Sequence, residues 1–145
     1  MFEIVEALYL GNAHDALDIQ GLIDHKIDTV INCTSNVPFS NRPDVVHVRF
    51  NVEDNGDERQ YQVMTDLLPN AVCAVRDGLA RGNTLVHCQQ GKQRSACVVA
   101  AYLMTEYGIG LQQAIAHVKQ AAEHRPFFPE VNFITSLQAY TTTAK

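Results

Sequence analysis

One short run constrains the fold of this chain more than any other feature of its 145 residues. The run covers residues 86–95 and reads Val-His-Cys-Gln-Gln-Gly-Lys-Gln-Arg-Ser. The stretch 83–86 before it predicts a buried strand, and the apolar stretch 95–104 after it is long enough for a buried helix. A strand, a short loop and a helix direct backbone N–H groups and the positive end of the helix at one small volume. The run therefore predicts an anion-binding loop that contains Cys88.

The residue types in this loop suit nucleophilic attack on a bound phosphate. A free thiol with a pKa of about 8.5 is only roughly 3% thiolate at neutral pH, but helix N-termini and neighbouring cations lower thiol pKa values to about 3.5–7.5. Arg94 offers a planar fork of donors for two phosphate oxygens, which a lysine would not reproduce. Gly91 permits a tight loop and close approach of the backbone to the ligand.

A simpler interpretation is that Cys88 ends a core strand as a small apolar residue, which is where free cysteines are usually found. That interpretation accounts for the thiol alone. It does not account for His87 before the cysteine, nor for Gly91, Arg94 and Ser95 after it. The pattern as a whole favours a catalytic cysteine.

The pattern His-Cys-x-x-Gly-x-x-Arg-Ser resembles the active-site loop of the cysteine-dependent protein tyrosine phosphatases, in particular their dual-specificity branch. The resemblance extends over nearly the whole chain. The matching segments outside the loop are residues 7–11 with Ala13 and Ala16, residues 29–34, residues 101–104, and residues 125–129 with Phe133 and Leu137. The resemblance implies one catalytic domain over residues 1–145 and an α/β fold with a central, mostly parallel sheet flanked by helices.

The resemblance also implies a role for each residue of the loop. Cys88 would attack phosphorus, Arg94 would hold the phosphate oxygens, and Ser95 would stabilise the thiolate when it departs. His87 would support the loop. The expected phosphate-binding residues are Gln89, Gln90, Gly91, Lys92, Gln93 and Arg94. Such a reaction needs neither a metal nor an organic cofactor.

A general acid is also required, because the leaving oxygen must take a proton. By resemblance, the acid lies on a polar loop about thirty residues before the nucleophile, and Asp54 fits that position best. Asp57 is a second candidate, although it also suits the N-cap or first turn of the helix predicted to follow. Glu53 is a third candidate.

The substrate class is less constrained than the chemistry. The flanking segments resemble the protein-directed branch, which implies hydrolysis of phosphotyrosine and of phosphoserine or phosphothreonine in proteins. Lys92 also occurs in relatives that act on phosphoinositides or inositol phosphates, so that activity is the alternative, although Gln89 stands where such relatives often have a second basic residue. A non-catalytic module that binds phosphoproteins is a third hypothesis, and intact Cys88 and Arg94 argue against it.

Composition excludes several other classes. A formal net charge of -5 argues against a nucleic-acid or anionic-membrane surface. No stretch approaches the ~20 apolar residues of a membrane span, and the first residues lack the features of a signal peptide. Cys33, Cys73 and Cys97 have no spacing suited to zinc, and we expect each to fill the core. We expect a monomer in the cytoplasm, with access to the nucleus.

The rest of the chain alternates predicted strands and helices, which favours a mostly parallel sheet covered on both faces. Further strands are predicted at 8–10, 29–33 and 45–50. Helices are predicted at 15–25, 58–80 and 111–121, with a last one through Val131, Ile134, Leu137 and 139–140. Pro69 is expected to break or kink the second helix, residues 35–43 to form a loop, and residues 141–145 to fray.

Overall fold

The computed structural model describes residues 1–123 and 133–143. The strands are β1 (Phe2–Val5), β2 (Leu8–Gly11), β3 (Ile27–Asn32), β4 (Val46–Arg49) and β5 (Asn83–His87). The helices are α1 (Ala13–Leu17), α2 (Ile19–Asp24), α3 (Glu58–Arg81), α4 (Arg94–Tyr107), α5 (Leu111–Ala121) and α6 (Ile134–Thr143). None of these helices is long and apolar enough to cross a membrane.

The strands form one sheet in the order β1-β2-β5-β3-β4. β5 pairs in parallel with β2 and β3, β3 pairs in parallel with β4, and β1 pairs antiparallel with β2. Adjacent strand residues belong to different buried clusters: Val86 packs in the larger cluster with α3 and α4, whereas Leu85 packs in the smaller one with Ala16 and Leu22. The prediction of a mostly parallel sheet covered on both faces is therefore confirmed.

The structure corrects the helix predicted at 15–25. Two short helices stand there, because the backbone of Asp18 is extended and its side chain accepts a hydrogen bond from the Gly21 N–H at the start of α2. α1 begins earlier than predicted, after Asn12, which shares a reciprocal pair of hydrogen bonds with Asp15. Local side-chain capping thus divides a segment whose apolar spacing predicts one helix.

Of the two outcomes expected at Pro69, a break or a kink, the break is wrong, because α3 continues from Glu58 to Arg81 with Pro69 inside it. A proline in a helix interior removes one hydrogen bond and costs about 3 kcal/mol. Buried apolar side chains on both sides of Pro69 offset that cost at about 1.5–3 kcal/mol for each large one. They are Met64, Leu68, Val72 and Val75.

Both ends of the chain differ from the prediction in detail. β1 was not predicted, although the alternation of apolar and acidic residues at 2–4 is typical of an edge strand. α6 continues through Thr143, so residues 141–143 are helical where fraying was expected. Val131, residues 125–129 and residues 144–145, which also carried predictions, lie outside the described residues.

Candidate active site

The loop between β5 and α4 lies at the carboxyl end of the parallel strands, where open α/β sheets bind their ligands. It packs against the turn that follows β2. The Ala13 N–H donates to the Gln89 carbonyl at 3.1 Å. Gly91 has a φ of +72°, and a Cβ placed there would lie 2.7 Å from the Gly11 carbonyl oxygen. Both the conformation and the close approach therefore require glycine at this position.

Cys88 and Ser95 face each other across the base of this loop. The Cys88 sulfur lies 3.1 Å from the Ser95 hydroxyl oxygen, and both side chains are buried. Cys88 directly follows β5, and Ser95 is the second residue of α4. A hydroxyl at this distance can donate a hydrogen bond to the sulfur, which is the arrangement predicted from the sequence.

Arg94 connects the loop to a distant part of the chain. Its Nη1 donates to the Val52 carbonyl at 2.9 Å, and the residue is only 7% exposed. Its Nε is buried and has no hydrogen-bond partner in the described part of the chain. A buried guanidinium N–H without an acceptor is costly, so this donor is suited to a ligand oxyanion.

These side chains border a pocket of about 430 Å³ that opens to the surface. Its lining residues are Asp54, Cys88, Gln89, Gln90, Lys92, Gln93 and Arg94. The structure thus brings together the predicted nucleophile, the favoured acid and five of the six predicted phosphate-binding residues. Gly91, the sixth, lies behind the loop, against the turn after β2.

The three candidate acids occupy different positions. Asp54 is exposed and lines the pocket. Asp57 is the N-cap of α3: its carboxylate accepts from the Arg59 N–H at 2.9 Å and pairs with the Arg59 guanidinium, which lowers the pKa of Asp57. Glu53 accepts a hydrogen bond from the Ser35 hydroxyl. Of the three, Asp54 is the one placed to reach a bound substrate.

His87 supports the loop from inside the protein. It is 1% exposed, and burial lowers its pKa to about 4, so the ring is neutral at pH 7. Its Nδ1 lies 3.3 Å from the Cys88 carbonyl oxygen. Because a carbonyl only accepts, Nδ1 carries the proton in this contact.

The other cysteines and histidines form no metal site in the part of the chain that is described. All four cysteines are free, and no group of His, Cys, Asp or Glu residues there could hold a metal ion. Burial raises the pKa of both Cys33 and Cys97. Cys73 is exposed on α3, so the expectation that it fills the core is wrong.

Comparison with known proteins identifies the family. The model of the dual specificity phosphatase catalytic domain matches residues 8–143. The chain belongs to the dual specificity phosphatase family. It is 35% identical over 144 residues to mouse dual specificity phosphatase 28, an alignment that covers 97% of this chain and 83% of the relative. It is 32% identical over 136 residues to dual specificity protein phosphatase 1 of Arabidopsis thaliana, covering 93% of this chain and 66% of that one.

Solved structures of dual specificity phosphatases share the fold over the full length. Human DUSP28 superposes with a TM-score of 0.80 at 29% identity, covering 99% of this chain and 96% of that one. A mouse protein described as a dual specificity phosphatase, complexed with zinc tungstate, superposes with a TM-score of 0.79 at 32% identity. The match covers 98% of this chain and 86% of that one. The chain is accordingly a phosphatase of the protein-tyrosine and dual-specificity class.

Sequence reasoning missed the groups that hold the site from outside the loop. They are the Val52 carbonyl, which accepts from Arg94, the Ser35 hydroxyl and Gln60, which both bond Glu53, and Gly11 beneath Gly91. A backbone carbonyl has no signature in sequence. Gln60 and Ser35 are ordinary polar residues of a helix and a loop, so no pattern distinguishes them.

Proposed function

We propose that this phosphatase hydrolyses phosphotyrosine and phosphoserine or phosphothreonine in proteins through a cysteinyl-phosphate intermediate. The observation that carries the proposal is Arg94. Its guanidinium is anchored through Nη1 on Val52, while its buried Nε has no acceptor among the described residues. An anchored, planar cation with a free donor beside a buried thiol is suited to an oxyanion with at least two free oxygens.

In the first step, the Cys88 thiolate attacks phosphorus. A sulfur–phosphorus bond forms as the bond to the leaving oxygen breaks, and Asp54 gives that oxygen its proton. Arg94 and the backbone N–H groups of the loop hold the remaining phosphate oxygens throughout. Catalysis in this step is mostly positioning and electrostatic stabilisation.

In the second step, water attacks the cysteinyl-phosphate. Asp54, now ionised, takes a proton from the water as its oxygen bonds to phosphorus. The sulfur–phosphorus bond breaks, and its electron pair returns to the Cys88 sulfur. The Ser95 hydroxyl, 3.1 Å from that sulfur, stabilises the departing thiolate with a hydrogen bond.

Two further observations support this proposal. Tungstate, with which the mouse relative was complexed, is a tetrahedral oxyanion like phosphate. The four cysteines of this chain are free, which suits the cytoplasm, with access to the nucleus, as the proposed place of action. A module that only binds phosphoproteins would not need Cys88 beside Ser95.

The test is replacement of the nucleophile. Cys88→Ser should abolish turnover of a small aryl phosphate, because an alcohol stays protonated where a thiol ionises. Rapid acid quenching of the parent enzyme, followed by mass spectrometry, should show phosphate on the peptide that contains Cys88. The exposed cysteine offers a matched control, since Cys73→Ser should retain full turnover. Equal rates for Cys88→Ser and the parent would disprove the assignment.

A further inference from the structure

We propose that Glu53 is a positioning residue, which holds Asp54 at the pocket through a hydrogen bond with Ser35. This inference rests on the proposed function, in which Asp54 is the general acid. Glu53 does not line the pocket. Its side chain points instead to the loop after β3, where it bonds Ser35. Its role is to fix the backbone from which Asp54 projects.

The segment before Asp54 is tied to the protein at successive positions. The Val52 carbonyl accepts from Arg94 at 2.9 Å. The Glu53 N–H donates to the Gln60 side-chain oxygen at 2.9 Å, in the first turns of α3. The Glu53 carboxylate accepts from the Ser35 hydroxyl. These bonds hold the two residues directly before Asp54.

The Ser35 end of this connection is itself rigid. Arg49 donates to the carbonyl oxygens of Thr34 and Val37, at 2.8 and 2.7 Å, on the two sides of Ser35. The Thr34 hydroxyl donates to Asn32 at 2.6 Å and accepts from the Val37 N–H at 3.0 Å. The main chain on both sides of Ser35 is therefore held, and the bond from its exposed hydroxyl to Glu53 links this segment to the acid loop.

Of these bonds, the one between Ser35 and Glu53 joins two side chains, so a substitution can remove it without changing Arg94. The Val52 and Gln60 contacts hold only main-chain atoms, and Arg94 is needed for phosphate in its own right. After Asp54, the Asn55 side chain accepts a hydrogen bond from the Asp57 N–H at 3.0 Å, at the start of α3. The Glu53 side chain is the group that ties the acid loop to the loop after β3, and it thereby limits how far the acid can move away from the pocket.

The experiment compares two esters that differ in their need for an acid. Phenyl phosphate has a poor leaving group and needs protonation, whereas dinitrophenyl phosphate releases a stable phenolate and does not. General acids contribute about 100-fold or more to rate, so a displaced acid should lower kcat for phenyl phosphate by about tenfold in Ser35→Ala and Glu53→Ala. The kcat for dinitrophenyl phosphate should change by less than about twofold, and KM should be unchanged for both esters.

Three matched variants complete the experiment. Ser35→Thr keeps the hydroxyl and should restore the rate on phenyl phosphate. Gln62→Ala removes an exposed hydrogen bond to Asp66 elsewhere on α3 and should change kcat for neither ester. Glu53→Ala added to Asp54→Asn should cause no further loss, because the acid that it positions is already gone.

Equal losses on both esters, or no loss on phenyl phosphate, would overturn the inference. So would a further loss when Glu53→Ala is added to Asp54→Asn. If Asp54→Asn shows the leaving-group effect but Ser35→Ala and Glu53→Ala do not, the proposed function stands and this inference fails. If Asp54→Asn itself shows no leaving-group effect, the assignment of the acid is wrong, and the positioning role of Glu53 falls with it.

Discussion

At the scale of single residues, the site depends on polar groups that the protein buries without satisfying them fully. Arg94 Nε, His87 Nε2 and Gln93 Oε1 are buried and have no hydrogen-bond partner among the described residues. All three belong to the phosphate-binding loop or its support. Buried polar atoms are usually paired, and each unpaired one costs about 1–3 kcal/mol. Of the four such atoms in the described part of the chain, only Arg42 Nη1 lies outside this region, and a concentration of this kind is typical of a site built for a ligand, not for stability.

The first prediction concerns Arg94, whose planar group both bonds Val52 and presents a free Nε. Arg94→Lys should lower kcat for an aryl phosphate by about two orders of magnitude, because an ammonium cannot hold two oxygens in alignment through the transition state. Steady-state kinetics measure the effect. Arg59→Lys, at an exposed ion pair with Asp57, serves as a control. A near-normal rate for Arg94→Lys would make Arg94 a structural residue at the start of α4.

The second prediction concerns His87, whose pKa burial lowers from 6.5 to about 4. Between these values the unfolded chain binds a proton that the folded chain does not, so stability falls as pH falls through this window. The difference of about 2.5 units corresponds to about 3 kcal/mol at its lower end. His87→Gln should remove this part of the pH dependence, as measured by urea unfolding at pH 7 and pH 5. An unchanged pH dependence in the variant would contradict the account.

At the scale of elements, three connections build the site: the loop after β5, the segment before α3 and the loop after β3. The first carries Cys88, and the second carries Asp54. The third reaches the second through Ser35. Rigid elements hold the first connection, since β5 and α4 are buried almost throughout. Contacts between elements that are distant in sequence therefore place the proposed acid and the proposed nucleophile at one pocket.

The third prediction concerns the acid loop. The dependence of kcat on pH should be bell-shaped, and Asp54→Asn should remove its alkaline limb and slow esters with poor leaving groups most. Asp57→Asn is the matched variant, because Asp57 caps α3 and bonds Arg59. It should keep the alkaline limb. The reverse pattern would identify Asp57 as the acid and Asp54 as a surface carboxylate.

At the scale of the whole molecule, the charge of the pocket differs from that of the protein. The chain carries a formal net charge of -5, yet Lys92 and Arg94 are among the described residues of the pocket. With Asp54 also in the lining, cations outnumber carboxylates at the pocket, which favours a bound phosphate, whereas the net charge of the whole chain does not favour polyanions or anionic membranes. This balance agrees with the proposal that the substrate is a phosphorylated protein and not a highly charged lipid headgroup.

The fourth prediction concerns substrate class. The value of kcat/KM should be highest for phosphotyrosine peptides, lower for phosphothreonine peptides and lowest for soluble phosphoinositides, at fixed ionic strength. Lys92 is a single half-buried cation in a pocket that opens to solvent, and such a charge contributes only ~1 kcal/mol, which is too little to redefine the substrate. A preference of about tenfold or more for phosphoinositide, equivalent to about 1.4 kcal/mol, that Lys92→Ala reduces would favour the alternative instead.

Sequence alone determined the mostly parallel sheet, and it predicted the phosphate-binding loop at its edge. Residues 88–94 are contiguous, so their chemistry and spacing can be read directly, and alternating apolar segments predict a parallel α/β sheet. Only the tertiary structure placed Asp54 at the pocket and Asp57 at the N-cap of α3, carried α3 through Pro69 and joined Glu53 to Ser35. Each of these depends on which side chains meet after the chain has folded. Such contacts have no local pattern, because the energy that decides them comes from burial and hydrogen bonds between residues far apart in sequence.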